Sequence, residues 1–224
     1  MSHLLTTLRA AGGTAALCAH CHTDIPTVSG VGVTLFAVPT RRVVIGTAGN
    51  LIDQIEDLQI TLDQGPCVDA VAAHAPVLVD DLTGVLAVRR WPRFATRAVS
   101  RGVLAMFAFP VIVDARPVAV LDLCRSTPGP MSPHEQDLAA AYAAAAGVLM
   151  ADDVRAGGSA GAVVSPEVAR IQQATGMVMS QATADSMTAL HRLRTHAFHH
   201  GLPLAAVVDE VLAGSLRFGP DTLP

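Results

Sequence analysis

The side chains with most scope for metal or redox chemistry are four cysteines and nine histidines, and two of the cysteines fall in the run Cys18-Ala19-His20-Cys21-His22. Cysteine and histidine at such short spacings are zinc-ligand types, but a closed zinc site takes four ligands and no second half of a site follows. On a helix, Cys18, Cys21 and His22 share a face with Leu8 and Leu17, the setting of buried structural cysteines. No metal centre and no cofactor is therefore expected. Cys67 and Cys124 lie on other elements; no basic group is evidently aimed at either thiol, so both read as buried apolar residues rather than activated thiolates. There is no P-loop or metalloprotease helix, Gly30-Val31-Gly32 lacks the spacing of a dinucleotide fingerprint, and Asp80-Asp81 and Asp152-Asp153 sit in turn or linker sequence. No catalytic residue is assigned, and the chain is not expected to be an enzyme.

All 15 cationic side chains are arginine, a bias that fits coding composition better than binding chemistry. Arg89, Arg90, Arg93, Arg97 and Arg101 form a stripe without an acid between Asp81 and Asp114. Such a stripe suits an anionic ligand or nucleic acid, but a solvated face paired with nearby acids is the expected role. In the last sixty residues Arg170, Arg192, Arg194 and His196 are available donors, yet this region is not basic and the whole chain carries a net charge of −4. A strong sequence-independent phosphate footprint is not implied.

The elements that must position these groups are legible from periodicity. Leu4, Leu5, Leu8, Ala11, Ala15, Ala16 and Leu17 predict an amphipathic helix over 3–22. Alternation predicts strands over 31–37 and 42–47 joined by a turn at 38–41. Leu51, Ile52, Ile55, Leu58 and Leu62 return to the helical period, with Asp53, Gln54, Glu56 and Asp57 expected on the opposite, polar side. Gly65-Pro66 ends that helix and opens a short one to His74, followed by a strand at 76–79 and a turn at 80–82. Trp91-Pro92 starts a helix ending at Arg101-Gly102, and 103–113 with 117–125 predict the central hairpin of a sheet. Ser132-Pro133-His134-Glu135 is a capping box opening a helix to about residue 150. This order is α+β with an antiparallel sheet flanked by helices. Gly157-Gly158-Ser159-Ala160-Gly161 reads as a linker, followed by three helices over 166–181, 185–200 and 203–217.

The segments Arg170-Ile171-Gln172-Gln173-Ala174-Thr175-Gly176-Met177-Val178-Met179 and Leu193-Arg194-Thr195-His196-Ala197-Phe198 closely resemble the ANTAR family over roughly 165–218. Leu62-Asp63-Gln64-Gly65-Pro66-Cys67, Trp91-Pro92, Phe107-Ala108-Phe109-Pro110 and Ala119-Val120-Leu121-Asp122-Leu123 resemble a GAF domain of the actinobacterial GAF-ANTAR type. The resemblance implies a GAF sensory domain over 3–152, a linker over 153–164, and an all-α three-helix ANTAR bundle over 165–218. It further implies a transcription antitermination regulator that binds RNA stem-loops and acts on the transcription machinery. Arg170, Gln173, Thr175, Gly176, Arg192, Arg194 and His196 are the expected RNA-facing residues. Thr175 stands where the commonest family pattern has lysine, which removes a charge from that face. Gly176 fits either a close approach to RNA or a tight helix crossing. A small-molecule pocket is expected between the sheet, at Phe107, Phe109 and Leu121, and the segment carrying Cys67. The competing reading is a GAF-fold small-molecule binder or thiol redox enzyme of the methionine sulfoxide reductase kind, using Cys67 and Cys124.

The helices at 3–22 and 132–150 present wide alanine-rich surfaces, and a homodimer in which they form a four-helix bundle is expected. The longest charge-free runs, 25–40 and 138–151, fall short of the roughly 18 to 20 apolar residues that span a bilayer. With no basic residue before Arg9 and Gly12-Gly13 interrupting the leading segment, a secretory signal is not expected. The expected location is cytoplasmic, without membrane contact.

Overall fold

A computed structural model describes residues 1–38, 41–155 and 166–219. The turn expected around Pro39-Thr40 and the linker Gly157-Gly158-Ser159-Ala160-Gly161 lie outside the described residues. The chain divides into two compact units, Met1–Gln59 with Asp63–Val163 and Ile60–Leu62 with Val164–Pro224.

In the first unit, strands β1 (Gly30–Val38), β2 (Arg41–Gly49), β3 (Val77–Val79), β4 (Ala105–Val113) and β5 (Arg116–Arg125) form one antiparallel sheet in the order β2-β1-β5-β4-β3. The β4–β5 hairpin expected from sequence is present, and β5 is the central strand. Alternation along each strand sorts the residues to two faces. One face carries Val31, Val33, Phe107, Phe109, Leu121 and Leu123 into a core with helices α1 (Ser2–Ala11), α2 (Thr14–Asp24) and α7 (Pro133–Arg155). The opposite face receives α3 (Ile52–Leu62) and α4 (Pro66–Ala73). Helices α5 (Val85–Arg90) and α6 (Pro92–Ser100) pack on each other in the connection from β3 to β4.

Two sequence expectations need correction here, and one helix lies outside them. The single helix over 3–22 is two helices, because Gly12 and Gly13 both adopt positive φ, at 113° and 67°, and turn the chain. Helix α5 is too short to show a helical period and was not expected. Glu56 is not on the polar side of α3: it is fully buried beside Ile52 and Ile55, which precede it by four residues and one. Positions 52, 55, 56 and 59 share one helical face, which carries Glu56 inward with the isoleucines.

Local chemistry sets the ends of the other elements as expected. The Ser132 backbone N–H donates to Glu135 Oε2 at 2.6 Å and the Glu135 N–H to Ser132 Oγ at 3.3 Å, which is the reciprocal capping box opening α7. In the second unit α8 (Pro166–Ala182), α9 (Ser186–His200) and α10 (Leu204–Leu212) pack against one another around Ala174, Val178, Leu193, Ala197, Leu204 and Val208. Asp185 caps α9 by accepting from the Thr188 N–H at 2.7 Å, and Gly201 ends it in the left-handed region.

Candidate functional site

The face of the sheet under α3 and α4 holds a buried polar cluster. Thr34 of β1, Asp122 of β5, Glu56 and Gln59 of α3, and Cys67 of α4 are all inaccessible to solvent. Thr34 Oγ1 donates to Glu56 Oε2 at 2.6 Å, and Gln59 Nε2 to Asp122 Oδ2 at 3.4 Å. Gln59 Oε1 accepts from the Cys67 N–H at 3.0 Å, and so ties the start of α4 to α3. Gly65, at φ 136°, permits this bond: a Cβ there would stand 2.5 Å from Gln59 Oε1. The Gly65-Pro66 stop and restart thus has a tertiary purpose beside its local one.

Electrostatics in this cluster follow from burial. Desolvation pushes Glu56 up to about 7, against the Thr34 hydroxyl and the neighbouring Asp122 carboxyl, which favour its ionised form, with the charge of Asp53 adding to the rise. Asp122 is raised well above the carboxylate range by burial first, then by the charge of Glu56. Arg42 of β2 is buried nearby; it pairs with Asp63 and donates from Nη1 to the Gln59 carbonyl at 3.3 Å.

The four cysteines are free and buried. Burial, then the charges of Asp122 and Glu56, raises the Cys67 thiol, and burial, then Glu56 and Asp122, lifts Cys124 to about 12. Cys18 is lifted to about 12, chiefly by burial. Such thiols stay protonated near neutral pH, so these surroundings do not generate a thiolate nucleophile. Among the described residues no group of three or more His, Cys, Asp or Glu is placed to hold a metal.

The expected pocket set is divided by the sheet. Cys67 lies on the α3–α4 side, whereas Phe107, Phe109 and Leu121 belong to the core shared with α2 and α7. Odd and even positions of a strand face opposite ways, and β5 puts Leu121 and Asp122 on different sides. Phe109 instead contributes to a surface groove of about 690 Å³ between β4 and α7, with His74, Pro76, Ile112, Ala144 and Val148. Sequence reasoning missed Glu56, Gln59 and Thr34 as site residues. A lone Asp122 inside the apolar run of β5 was the available signal, because a carboxylate there requires a partner.

Elsewhere in the first unit, Arg90 pairs with Asp69 at 2.6 Å and lies over the Trp91 ring, so part of the arginine stripe has the paired role expected. Burial, then Arg101 and Arg93, depresses the pKa of Arg97.

In the second unit Arg170, Gln173 and Gly176 are exposed along one side of α8. Arg170 pairs with Asp209 at 2.5 Å, both side chains being about half exposed. A Cβ at Gly176 would meet nothing within 4 Å, so this glycine does not serve a tight helix crossing. Thr175 turns inward to donate to the Ile171 carbonyl at 2.7 Å. Arg194 is buried, contrary to its expected exposure. Arg192 is half-buried and donates to the Gly219 carbonyl at 2.9 Å. His196 packs its ring against His200 and Phe218, and burial, then His200, lowers its pKa.

Comparison with known proteins bears on the first unit. A family model described as a GAF domain matches residues 15–151. The fold is similar to the GAF domain of an Acinetobacter phosphoenolpyruvate-protein phosphotransferase, at 9% identity and a TM-score of 0.51 over 69% of this chain and 92% of that one. It is similar to the corresponding Coxiella burnetii domain at 11% identity and a TM-score of 0.52, over 70% of this chain and 96% of that one. A type II free methionine-R-sulfoxide reductase from Thermoplasma acidophilum aligns at 18% identity and a TM-score of 0.49, over 65% of this chain and 94% of that one. At these identities the likeness speaks for the fold alone. No curated protein sequence matches the chain. No helix among the described residues is long and apolar enough to cross a membrane.

Proposed function

Because this chain belongs to the GAF family, we propose that it is a cytoplasmic transcription antitermination regulator in which the GAF unit is the sensor and the three-helix unit is an ANTAR domain binding RNA stem-loops. The observation that carries the reading is the outer side of α8. Arg170, Gln173 and Gly176 form a row there with open space above the glycine, so a nucleic-acid backbone can approach the helix closely. The Arg170–Asp209 pair does not oppose this use. An exposed ion pair contributes roughly 0 to 1 kcal/mol, and a phosphate can take the place of Asp209. Arg192 and His196 of α9 are half-buried, and buried Arg194 acts in folding rather than in contact with RNA. The transcription machinery is the downstream partner.

A homodimer is part of the proposal. The inner side of α7 is used within the unit through Ala139, Tyr142, Ala143, Ala146 and Leu149, while Ala140, Ala144 and Val148 remain exposed for a second copy. Light scattering that returns only monomer at micromolar concentration removes the dimer from the proposal.

The test of RNA binding is retention of stem-loops selected from native transcripts, followed across a salt titration. Native protein is expected to bind more weakly as salt rises. Arg170→Ala is expected to weaken binding across all bound hairpins while leaving the fold unchanged. Absence of any shift at low salt, or equal binding by Arg170→Ala, overturns the reading.

A further inference from the structure

Glu56 of α3 and Asp122 of β5 are fully buried carboxyl groups that both adjoin Gly32 of β1, and the charge of Glu56 acts on Asp122. Each has one oxygen with a donor and one without. Glu56 Oε2 accepts from Thr34 and Asp122 Oδ2 from Gln59, whereas Glu56 Oε1 and Asp122 Oδ1 have no donor. Two ionised carboxylates in this position are two buried charges, a cost that groups normally avoid by keeping protons. The buried cation Arg42 is committed to Asp63 and to the Gln59 carbonyl.

The backbone is shaped around the pair. Gly32 of β1 is the cross-strand partner of Asp122, and Glu56 reaches over it. A Cβ on residue 32 would lie 2.9 Å from Glu56 Oε1 and 3.0 Å from Ile52 Cγ1. Only a glycine at residue 32 lets Glu56 lie this close over β1.

We propose that Glu56 and Asp122 are a proton-linked switch, in which the number of protons held by the pair sets how firmly α3 grips the sheet of the GAF unit. A proton on Asp122 donated to Glu56 supplies a missing donor, and a second proton makes the pair uncharged. The apparent titration belongs to the pair rather than to either residue. Its first proton leaves to water near neutrality, because burial raises Glu56 to about 7, and its second is held to higher pH. Asp53 of α3 is the further acid acting on Glu56 from its own helix. The thiols of Cys67 on α4, Cys124 on β5 and Cys18 on α2 feel the charge of Glu56, and Arg42 acts on Cys67 with the opposite sign. No group in this set neutralises the charge created when the first proton leaves, so rising pH loosens α3. As a signal to the second unit the switch rests on the sensory reading above; the titration itself does not.

The test uses the full chain. Infrared difference spectra are expected to show a protonated carboxyl band that loses about half its intensity between about pH 5.5 and about pH 8.5. Amide hydrogen exchange over 52–59, corrected for intrinsic rates, is expected to lose at least about tenfold protection over the same range. Glu56→Gln is expected to abolish both changes. A pH-independent band, or equal pH-dependent loss of protection in Glu56→Gln, overturns the switch. Should that variant fail to fold, the native band decides, with Asp122→Asn as the second variant. RNA retention measured in parallel reports on the regulatory reading separately.

Discussion

Replacing Glu135 tests how the last helix of the GAF unit is anchored. Its carboxylate accepts from the Ser132 N–H at 2.6 Å, from Arg125 Nη2 at 2.8 Å and from the Thr27 hydroxyl, which itself accepts from Arg125 at 2.7 Å. The start of α7, the end of β5 and the segment before β1 are thereby joined through one group. Arg125 is only 9% exposed in its side chain, so removing its counter-charge leaves a nearly buried cation. Breaking a buried pair costs roughly 3 to 5 kcal/mol, and the lower end applies because Arg125 keeps the Pro130 carbonyl at 3.1 Å and the Thr27 oxygen as acceptors. Glu135→Ala is therefore expected to cost about 3 kcal/mol, about 1 kcal/mol of it the lost cap. Glu135→Gln keeps the shape and an acceptor for Ser132, and is expected to cost about 1 to 2 kcal/mol. Burial raises the pKa of Glu135, but hydrogen bonds from Thr27, Ser132 and Arg125 together outweigh it and hold the carboxyl down at about 2. A depressed carboxylate stabilises above its unfolded pKa and loses that contribution as pH falls. Native protein should accordingly lose on the order of 1 to 2 kcal/mol between about pH 4.5 and about pH 2, after allowance for screening near the surface, and Glu135→Gln should lack that component. Urea unfolding followed through Trp91, the single and buried tryptophan, reports this unit. A Glu135→Ala unfolding free energy within about 0.5 kcal/mol of native would refute the reasoning, because it would mean that water already screens Arg125.

Two identical substitutions inside helices should have opposite signs. Gly176→Ala, in open space on α8, is expected to stabilise the second unit by about 0.5 to 1 kcal/mol, read by thermal unfolding, while weakening RNA retention. Gly147→Ala on α7 gains the same propensity but sets a Cβ 2.6 Å from the Ile112 carbonyl oxygen, and a net loss of about 1 to 3 kcal/mol in urea unfolding is expected. Gly32→Ala should destabilise by about 1 to 3 kcal/mol, with Glu56 displaced; unchanged stability would show that Glu56 does not depend on the glycine gap. Finally, all four cysteines should react with a thiol reagent only on unfolding, and rapid labelling of the native chain at neutral pH would show that the burial of these thiols is not maintained.

The sequence by itself determined those features that interactions within a few residues control. Asp185 before α9, Gly201 after it, the Ser132–Glu135 box before α7 and Gly65-Pro66 between α3 and α4 each satisfy or terminate a helix end locally. Their residue types therefore sufficed to place them. The strands followed from alternation, and the β1–β2 and β4–β5 hairpins from their short connections. The apolar part of the α3 stripe was legible at Ile52 and Ile55, whereas Glu56 and Gln59 keep the same period but were misplaced or missed because of their polarity. Tertiary structure alone decided what that stripe meets. The register of β1 on β5 sets Gly32 beside Asp122, and only then does burying Glu56 become two carboxyl groups that need a proton. The same dependence divides Cys67 from Phe107 and Leu121, buries Arg194, and makes Gly176 open where Gly147 is closed. Burial and charge coupling fall off within a few ångströms of space, and residues far apart along the chain come that close only once the sheet has formed.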